Sequence, residues 1–191
     1  MLMPTPDAKT IANRPAIVER LQQIVPKGAF GDNVITDAAG LRAYECDGLS
    51  AYRQLPLVVV LPETTSQISK ILKYCNQSGV KVVARGAGTS LSGGALPLAD
   101  AVLVGLGKFN QILDIDYANR AVVTQPGVTN LAISQAVADA NFYYAPDPSS
   151  QIVCSIGGNV AENSGGVHCL KYGLTTNNLL GLEMVLMNGD I

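Results

Sequence analysis

Arg85-Gly86-Ala87-Gly88-Thr89-Ser90 ends an apolar run, and a second glycine-rich stretch, Ser155-Ile156-Gly157-Gly158-Asn159 through Ser164-Gly165-Gly166, follows about seventy residues later. Small residues leave backbone N–H groups bare and the hydroxyls add donors, a combination that suits a pyrophosphate. The second stretch offers a similar surface with side-chain amides interspersed. Together the two predict a long ligand, such as a dinucleotide, clamped by separate pieces of chain. Gly86-x-Gly88 begins like the nicotinamide fingerprint, but Leu91 stands where the third glycine belongs and the loop runs on as Ser92-Gly93-Gly94. No G-K-[ST] follows, so a Walker loop is excluded.

The elements that carry these stretches follow from periodicity and punctuation. Ile17, Val18, Leu21 and Ile24 share one face of a helix over Pro15–Ile24, with a proline in its first turn. After an irregular stretch containing Tyr44 and Asp47, Leu57–Leu61 is a continuous apolar run of the kind found in buried parallel strands. Thr64 and Gln67 match a capping box, Ile68, Ile71, Leu72 and Cys75 form a helical stripe, and Gly79 stops it before a strand over Val80–Ala84. That βαβ unit places the Arg85–Gly94 loop at the carboxyl end of a strand, where open α/β sheets bind ligands. From about Ala101 the texture changes towards hairpins: Ala101–Val104, Ile112–Ile115 and Ala121–Gln125 read as strands of a mixed or antiparallel sheet. A helix over Asn130–Ala140, a loop at Pro146–Ser150 and a last strand at Leu180–Met187 complete the reading, with the hairpin signal Asn188-Gly189 after it. The fold class is therefore α+β in two lobes. Residues 1–56 form an N-terminal helix and irregular segment, 57–100 the βαβ lobe, and 101–191 the mixed-sheet lobe, with the ligand expected in the cleft between them.

Composition narrows the function. With 13 Lys+Arg, a net charge of -2 and no basic cluster, the chain lacks a nucleic-acid footprint. Its longest aliphatic run is far short of the ~20 residues of a membrane span, and the N-terminus lacks the regions of a signal peptide, so a cytoplasmic protein is expected. Cys46, Cys75, Cys154 and Cys169 show no C-x-x-C spacing, which argues against a metal or iron–sulfur site; all four are expected to be buried reduced thiols. Arg85 has two readings, facing the ligand or pairing with Glu63 or Asp100. His168, the only histidine, reads as a structural hydrogen-bonder rather than a catalytic group, and Tyr143 and Tyr144 as packing beneath the Pro146–Ser150 loop.

Tyr44-Glu45-Cys46-Asp47-Gly48-Leu49-Ser50-Ala51-Tyr52-Arg53, Arg85 to Pro97, Gln125-Pro126-Gly127-Val128 and Tyr143 through Gly173-Leu174 resemble the p-cresol methylhydroxylase or vanillyl-alcohol oxidase type of FAD-binding domain, and within it the glycolate-oxidising branch. By that resemblance Arg85, Gly86, Ala87, Gly88, Thr89 and Ser90 bind the FAD pyrophosphate. Pro146, Asp147, Pro148, Ser155, Gly157, Gly158, Asn159, Ser164, Gly165 and Gly166 line the adenosine and flavin, with Val185 beside them. Relatives that attach flavin covalently carry a histidine in an R-x-G-G-H-S loop; Thr89 stands at that position, so noncovalent FAD is implied. The resemblance further implies a 2-hydroxy acid dehydrogenase oxidising glycolate to glyoxylate, with D-lactate as the alternative substrate. Electrons would pass to an iron–sulfur partner subunit, through which the protein would associate with a membrane. A noncatalytic FAD- or nucleotide-binding module is the rival class. Full-length relatives add a substrate cap carrying histidine and acidic residues. The chain therefore reads as the N-terminal FAD portion, with no metal of its own, inactive alone, and with its last strand lacking a return partner.

Overall fold

The computed structural model describes residues 3–28 and 31–191. The chain forms two compact units: the first runs to Leu106 and takes in Glu183–Ile191, and the second is Gly107–Leu182.

The first unit opens with α1 (Ala8–Ala12), whose N-cap Asp7 accepts from the Lys9 and Thr10 N–H groups, and α2 (Arg14–Ile24), with Pro15 in its first turn and Ile17, Leu21 and Ile24 buried. A two-residue strand β1 (Val34–Ile35) and the short α3 (Ala38–Arg42) follow. Next come β2 (Val58–Val60), α4 (Thr65–Ser78), β3 (Lys81–Arg85) and β4 (Ala101–Gly105). At the start of α4, Thr64 Oγ1 accepts from Gln67 N–H at 3.2 Å, while Gln67 Oε1 reaches Glu63 N–H at 2.7 Å, one residue before the cap. The capping box expected there is thus offset by one on its return arm. Gly79, at φ 65°, ends the helix in the left-handed conformation that a β-carbon disfavours.

The sheet runs β1-β2-β4-β3, with β1 antiparallel to β2 and both β2 and β3 parallel to β4. β2 and β3 are parallel as the βαβ pattern predicts, but β4 lies between them. Ala101–Val104 therefore belongs to the first sheet as a parallel strand, not to an antiparallel second lobe. The reason is legible in its burial: all five residues of β4 are covered on both faces, the condition of a central parallel strand. Val58, Val60, Val102 and Val104 turn one face to a cluster with Ile17, Leu21, Ile71 and Cys75, so α2 and α4 cover that side. Val59 and Leu103 turn the other face to Leu41 of α3, with Ile35 and Tyr44 packed alongside. The N-terminal helices thus build the core of this unit.

At the head of β4, buried Asp100 accepts from Lys81 Nζ at 2.7 Å and from Asp7 N–H at 2.9 Å. Burial works against its ionisation, but the Lys81 and Asp7 hydrogen bonds outweigh it and hold the carboxyl below its usual value. A depressed folded-state value gives stability that is complete above the unfolded carboxyl value of about 4 and is lost as pH falls through the folded value. Asp100→Asn is accordingly expected to lower the melting temperature near neutrality and to make little difference in strong acid. Thermal melts of both proteins across that range check it.

The second unit carries the hairpin β5 (Ile112–Asp116) and β6 (Ala121–Thr124), antiparallel with an irregularity between Ile112 and Asp114. Asp116 stabilises the turn, accepting from Asn119 N–H at 2.9 Å and from its Nδ2 at 2.6 Å. α5 (Asn130–Val137) is capped by Thr129 and continues as a 3₁₀ turn to Ala140. The second glycine stretch is not an open loop: Ile156–Glu162 forms α6, capped by Ser155. A short α7 (Cys169–Tyr172) and a 3₁₀ turn over Thr175–Asn178 close the unit.

The strand expected at Leu180–Met187 is absent. Only its turn forms, where Leu186 N–H donates to Asp190 O and Gly189 N–H to Leu186 O, both at 2.8 Å. Glu183 and Gly189 are anchored to α4 instead, through Thr65 Oγ1 at 2.8 Å and Ser69 Oγ at 2.5 Å. The apolar run is real, but no strand among the described residues lies alongside to complete its hydrogen bonds, and Leu180, Leu182 and Met184 are exposed. No helix of the described residues is long and apolar enough to cross a membrane.

Candidate functional site

Arg85 is the last residue of β3, and the chain leaves the sheet there into the first glycine loop. Its side chain folds back under that loop. The guanidinium donates to Cys46 O at 2.7 Å and Tyr44 O at 3.4 Å and lies 5.6 Å from the Tyr44 ring centroid. It is 9% exposed, and no carboxylate among the described residues pairs with it, so neither Glu63 nor Asp100 is its partner. A buried cation held by carbonyl dipoles and a ring face leaves its charge uncompensated. Gly88, at φ 71°, passes so close that a β-carbon would run into the guanidinium.

Among the described residues, none accepts from the backbone N–H groups of Ala87, Gly88 or Thr89. Gly86, Gly88, Thr89 and Ser90 are half-buried and Ala87 is exposed, while Ser90 Oγ accepts from Ser92 N–H at 3.1 Å. Bare N–H groups above a buried positive charge are a fitting cradle for a pyrophosphate. The Arg85 guanidinium lies beneath the loop on the Tyr44 and Cys46 carbonyls rather than in it.

The second glycine stretch is differently made. Ile156 N–H donates to Val128 O and Gly157 N–H to Pro126 O, both at 2.8 Å, and Gly158 N–H donates to Ser155 Oγ at 3.3 Å. The first turn of α6 is therefore satisfied by the Pro126–Val128 segment and its own cap, and does not offer the bare donors anticipated. Gly166 packs against Asp147 so tightly that a β-carbon would overlap the Asp147 carbonyl, and a β-carbon at Gly165 would meet Leu174. Gly158 differs, because the nearest atom to a β-carbon there is Ser155 Oγ at 3.1 Å. The fold does not require a glycine at that position. Asn159 is buried and turned inward, Ser164 O accepts from Thr175 Oγ1 at 2.7 Å, and Val185 is half-buried.

Asn130, unmarked by any motif, ties this unit together. Its buried Nδ2 donates to Pro146 O at 2.9 Å and Asn159 Oδ1 at 3.0 Å, joining the Pro146–Pro148 turn to α6. An asparagine in the first turn of a helix is the only sequence signal it gives. Asp147 completes the junction, taking His168 Nδ1 at 2.6 Å and His168 N–H at 3.3 Å. Partial burial opposes ionisation of Asp147, but His168 outweighs it and keeps the carboxyl below its usual value. His168 thus has the structural hydrogen bond expected of it. Tyr144 is half-buried, its N–H on Ser134 Oγ at 2.9 Å, whereas Tyr143 is exposed and meets Tyr172 edge-on with centroids 6.1 Å apart.

The cysteines divide. Cys75 and Cys154 are buried as anticipated, with burial pushing the Cys75 thiol up to about 12, but Cys46 is half-buried and Cys169 exposed. Cys169 opens α7 on a surface-facing turn, where flanking apolar residues do not ensure burial; Leu170 beside it is 99% exposed. No group of three metal-ligating side chains occurs among the described residues.

Comparison with known proteins supplies the family. The chain is 56% identical over 178 residues to glycolate oxidase subunit GlcD of Escherichia coli (strain K12), covering 93% of this chain and 35% of that protein. It is 41% identical over 175 residues to the GlcD subunit of Bacillus subtilis (strain 168), covering 92% and 36% of the two chains. D-2-hydroxyglutarate dehydrogenase of Stutzerimonas stutzeri (strain A1501) is 33% identical over 177 residues, covering 93% and 37%. The chain thus spans about a third of the length of these relatives. Among solved structures, p-cresol methylhydroxylase with substrate bound superposes with a TM-score of 0.79 at 21% identity, over 100% of this chain and 36% of that one, and shares the fold. Residues 56–191 match the profile of a family described as FAD binding domain, and the chain belongs to that family.

Proposed function

We propose that this chain is the FAD-holding portion of a flavin-dependent 2-hydroxy acid dehydrogenase whose substrate is glycolate. Bound FAD would supply the two-electron chemistry; the chain's own task is to hold and orient it. The observation that carries this reading is the buried Arg85, which no carboxylate among the described residues pairs with, beneath the N–H groups of Ala87, Gly88 and Thr89, which none of the described residues accepts from. An anion at the loop balances that charge, and Arg85 with these three N–H groups would hold the FAD pyrophosphate. Pro146–Pro148, Ser155–Asn159, Ser164–Gly166 and Val185 would line the rest of the cofactor.

Glycolate is favoured over D-2-hydroxyglutarate because identity to the glycolate oxidase subunits is higher, 56% and 41% against 33%. The word subunit in those relatives' names supports a multi-subunit assembly, and we assign the electron acceptor to an iron–sulfur partner in the cytoplasm or at a membrane surface. Anaerobic bleaching of the flavin in the complete polypeptide by glycolate, but not by D-lactate or D-2-hydroxyglutarate, tests the substrate. Equal bleaching by all three would remove glycolate's place.

The attachment chemistry gives a separate expectation. A threonine hydroxyl at position 89 is not the imidazole nucleophile of the covalent-flavin relatives, so FAD bound to this chain is noncovalent. Acid precipitation of the reconstituted protein should leave the yellow colour in the supernatant. Colour retained in the washed pellet would contradict it.

A further inference from the structure

Asp47 is 5% exposed, yet its carboxylate is only half satisfied. Oδ1 accepts from Leu49 N–H at 2.9 Å, while Oδ2 is shut off from solvent and has no partner among the described residues. Buried polar atoms are almost always hydrogen-bonded, and a buried charged acceptor without a donor is among the costlier exceptions. Such an atom calls for a partner that the described residues do not supply.

The neighbours of Asp47 identify that partner's surroundings. Cys46 O accepts from the Arg85 guanidinium at 2.7 Å, and Gly48 packs so that a β-carbon there would lie 2.7 Å from the carbonyl oxygens of Thr89 and Ser90. Asp47 therefore belongs to the layer that backs the phosphate-type loop. A carboxylate repels phosphate and can only accept hydrogen bonds, so a hydroxyl is its natural complement. Carboxylates serve dinucleotide ribose hydroxyls in this way on unrelated folds. FAD carries such hydroxyls on both sides of its pyrophosphate, on the adenosine ribose and on the ribityl chain.

We infer that Asp47 Oδ2 accepts a hydrogen bond from a sugar hydroxyl of the dinucleotide held by the Arg85–Ser90 loop; this rests on the reading of that loop as the FAD pyrophosphate site. Because solvent does not reach Oδ2, the hydroxyl engages it as the loop adjusts to its ligand. Asp47 is thus a binding residue, kept at the expense of the ligand-free fold.

Asp47→Asn in the 191-residue chain separates this role from a structural one. The amide keeps an oxygen for Leu49 N–H and removes the buried charge, so the ligand-free melting temperature should stay level or rise. FAD affinity, read by quenching of flavin fluorescence, should fall at least about tenfold. Inorganic pyrophosphate, which has no sugar hydroxyl, should bind as before or more tightly. ADP and FMN then tell which sugar is read: the one whose affinity falls with the substitution carries the hydroxyl. FAD binding within about twofold of wild type, an equal loss for pyrophosphate, or a melting temperature several degrees lower would each overturn the inference. A wild-type chain that binds neither FAD nor pyrophosphate would instead overturn the reading of the loop, and the inference with it.

Discussion

Gly158→Val is expected to leave the fold standing while FAD affinity falls at least about thirtyfold, equivalent to about 2 kcal/mol. A β-carbon at Gly158 would meet Ser155 Oγ at 3.1 Å, a contact the hydroxyl can relieve by rotating. Valine has the better helix propensity by a few tenths of a kcal/mol, against a weakened cap worth about 1 kcal/mol, so the net effect on stability is small. A branched side chain would nevertheless stand where the cofactor is proposed to approach the backbone.

Gly88→Val provides the contrast. A side chain there would be strained at φ 71° and would collide with the Arg85 guanidinium, so stability and FAD binding should fall together, the former by roughly 1–3 kcal/mol. Paired melts and FAD titrations distinguish the two variants. Unchanged FAD affinity in a folded Gly158→Val protein would remove α6 from the cofactor site.

The second large effect is expected at Asn130. Replacing it with alanine strands the buried Pro146 carbonyl and leaves Asn159 Oδ1 only the Cys154 thiol, 3.7 Å away. The stranded carbonyl costs about 1–3 kcal/mol and the weakened Asn159 acceptor about 1 kcal/mol, so a total of roughly 2–4 kcal/mol is expected. For a domain of this size that is a fall in melting temperature of about 5–15 °C. Asn130→Asp should be as damaging, because a carboxylate cannot donate to either oxygen. FAD affinity should fall with stability in both variants, as the Pro146–Pro148 turn loses its tie to α6. Urea titration gives the free energy directly, and a loss below about 1 kcal/mol would show that water replaces the amide without penalty.

Much of this protein was legible from residue order alone. Continuous burial of Val58–Val60, the stripe of α4 and the stop at Gly79 are local properties, set by side-chain period and backbone sterics, and the βαβ unit follows from them. The glycines and hydroxyls of the Arg85–Ser90 loop raise the expectation of an anion because small residues leave N–H groups bare whatever distant segments bring. What a residue meets across the fold is another matter. Ala101–Gly105 has an apolar run compatible with either sheet, and only the parallel slot between β2 and β3 made it a central strand. Leu180–Met187 has the same apolar signal, but a strand needs a neighbour to take its hydrogen bonds, and none lies beside it among the described residues. Gly88, Gly165 and Gly166 look alike in sequence to Gly158, yet the first three are hemmed by Arg85, Leu174 and Asp147 and the fourth is not. Asn130 belongs to no motif, and the Tyr44–Arg53 stretch that contains Asp47 assigns it no role; what sets both apart is hydrogen bonds made or left unmade in the folded chain. Sequence therefore determined those elements whose periodicity is local, and the residue types of the glycine loops, because both rest on side-chain period and backbone sterics. Tertiary structure decided which donors are already taken and which buried charges lack a partner, because both depend on what distant segments bring together.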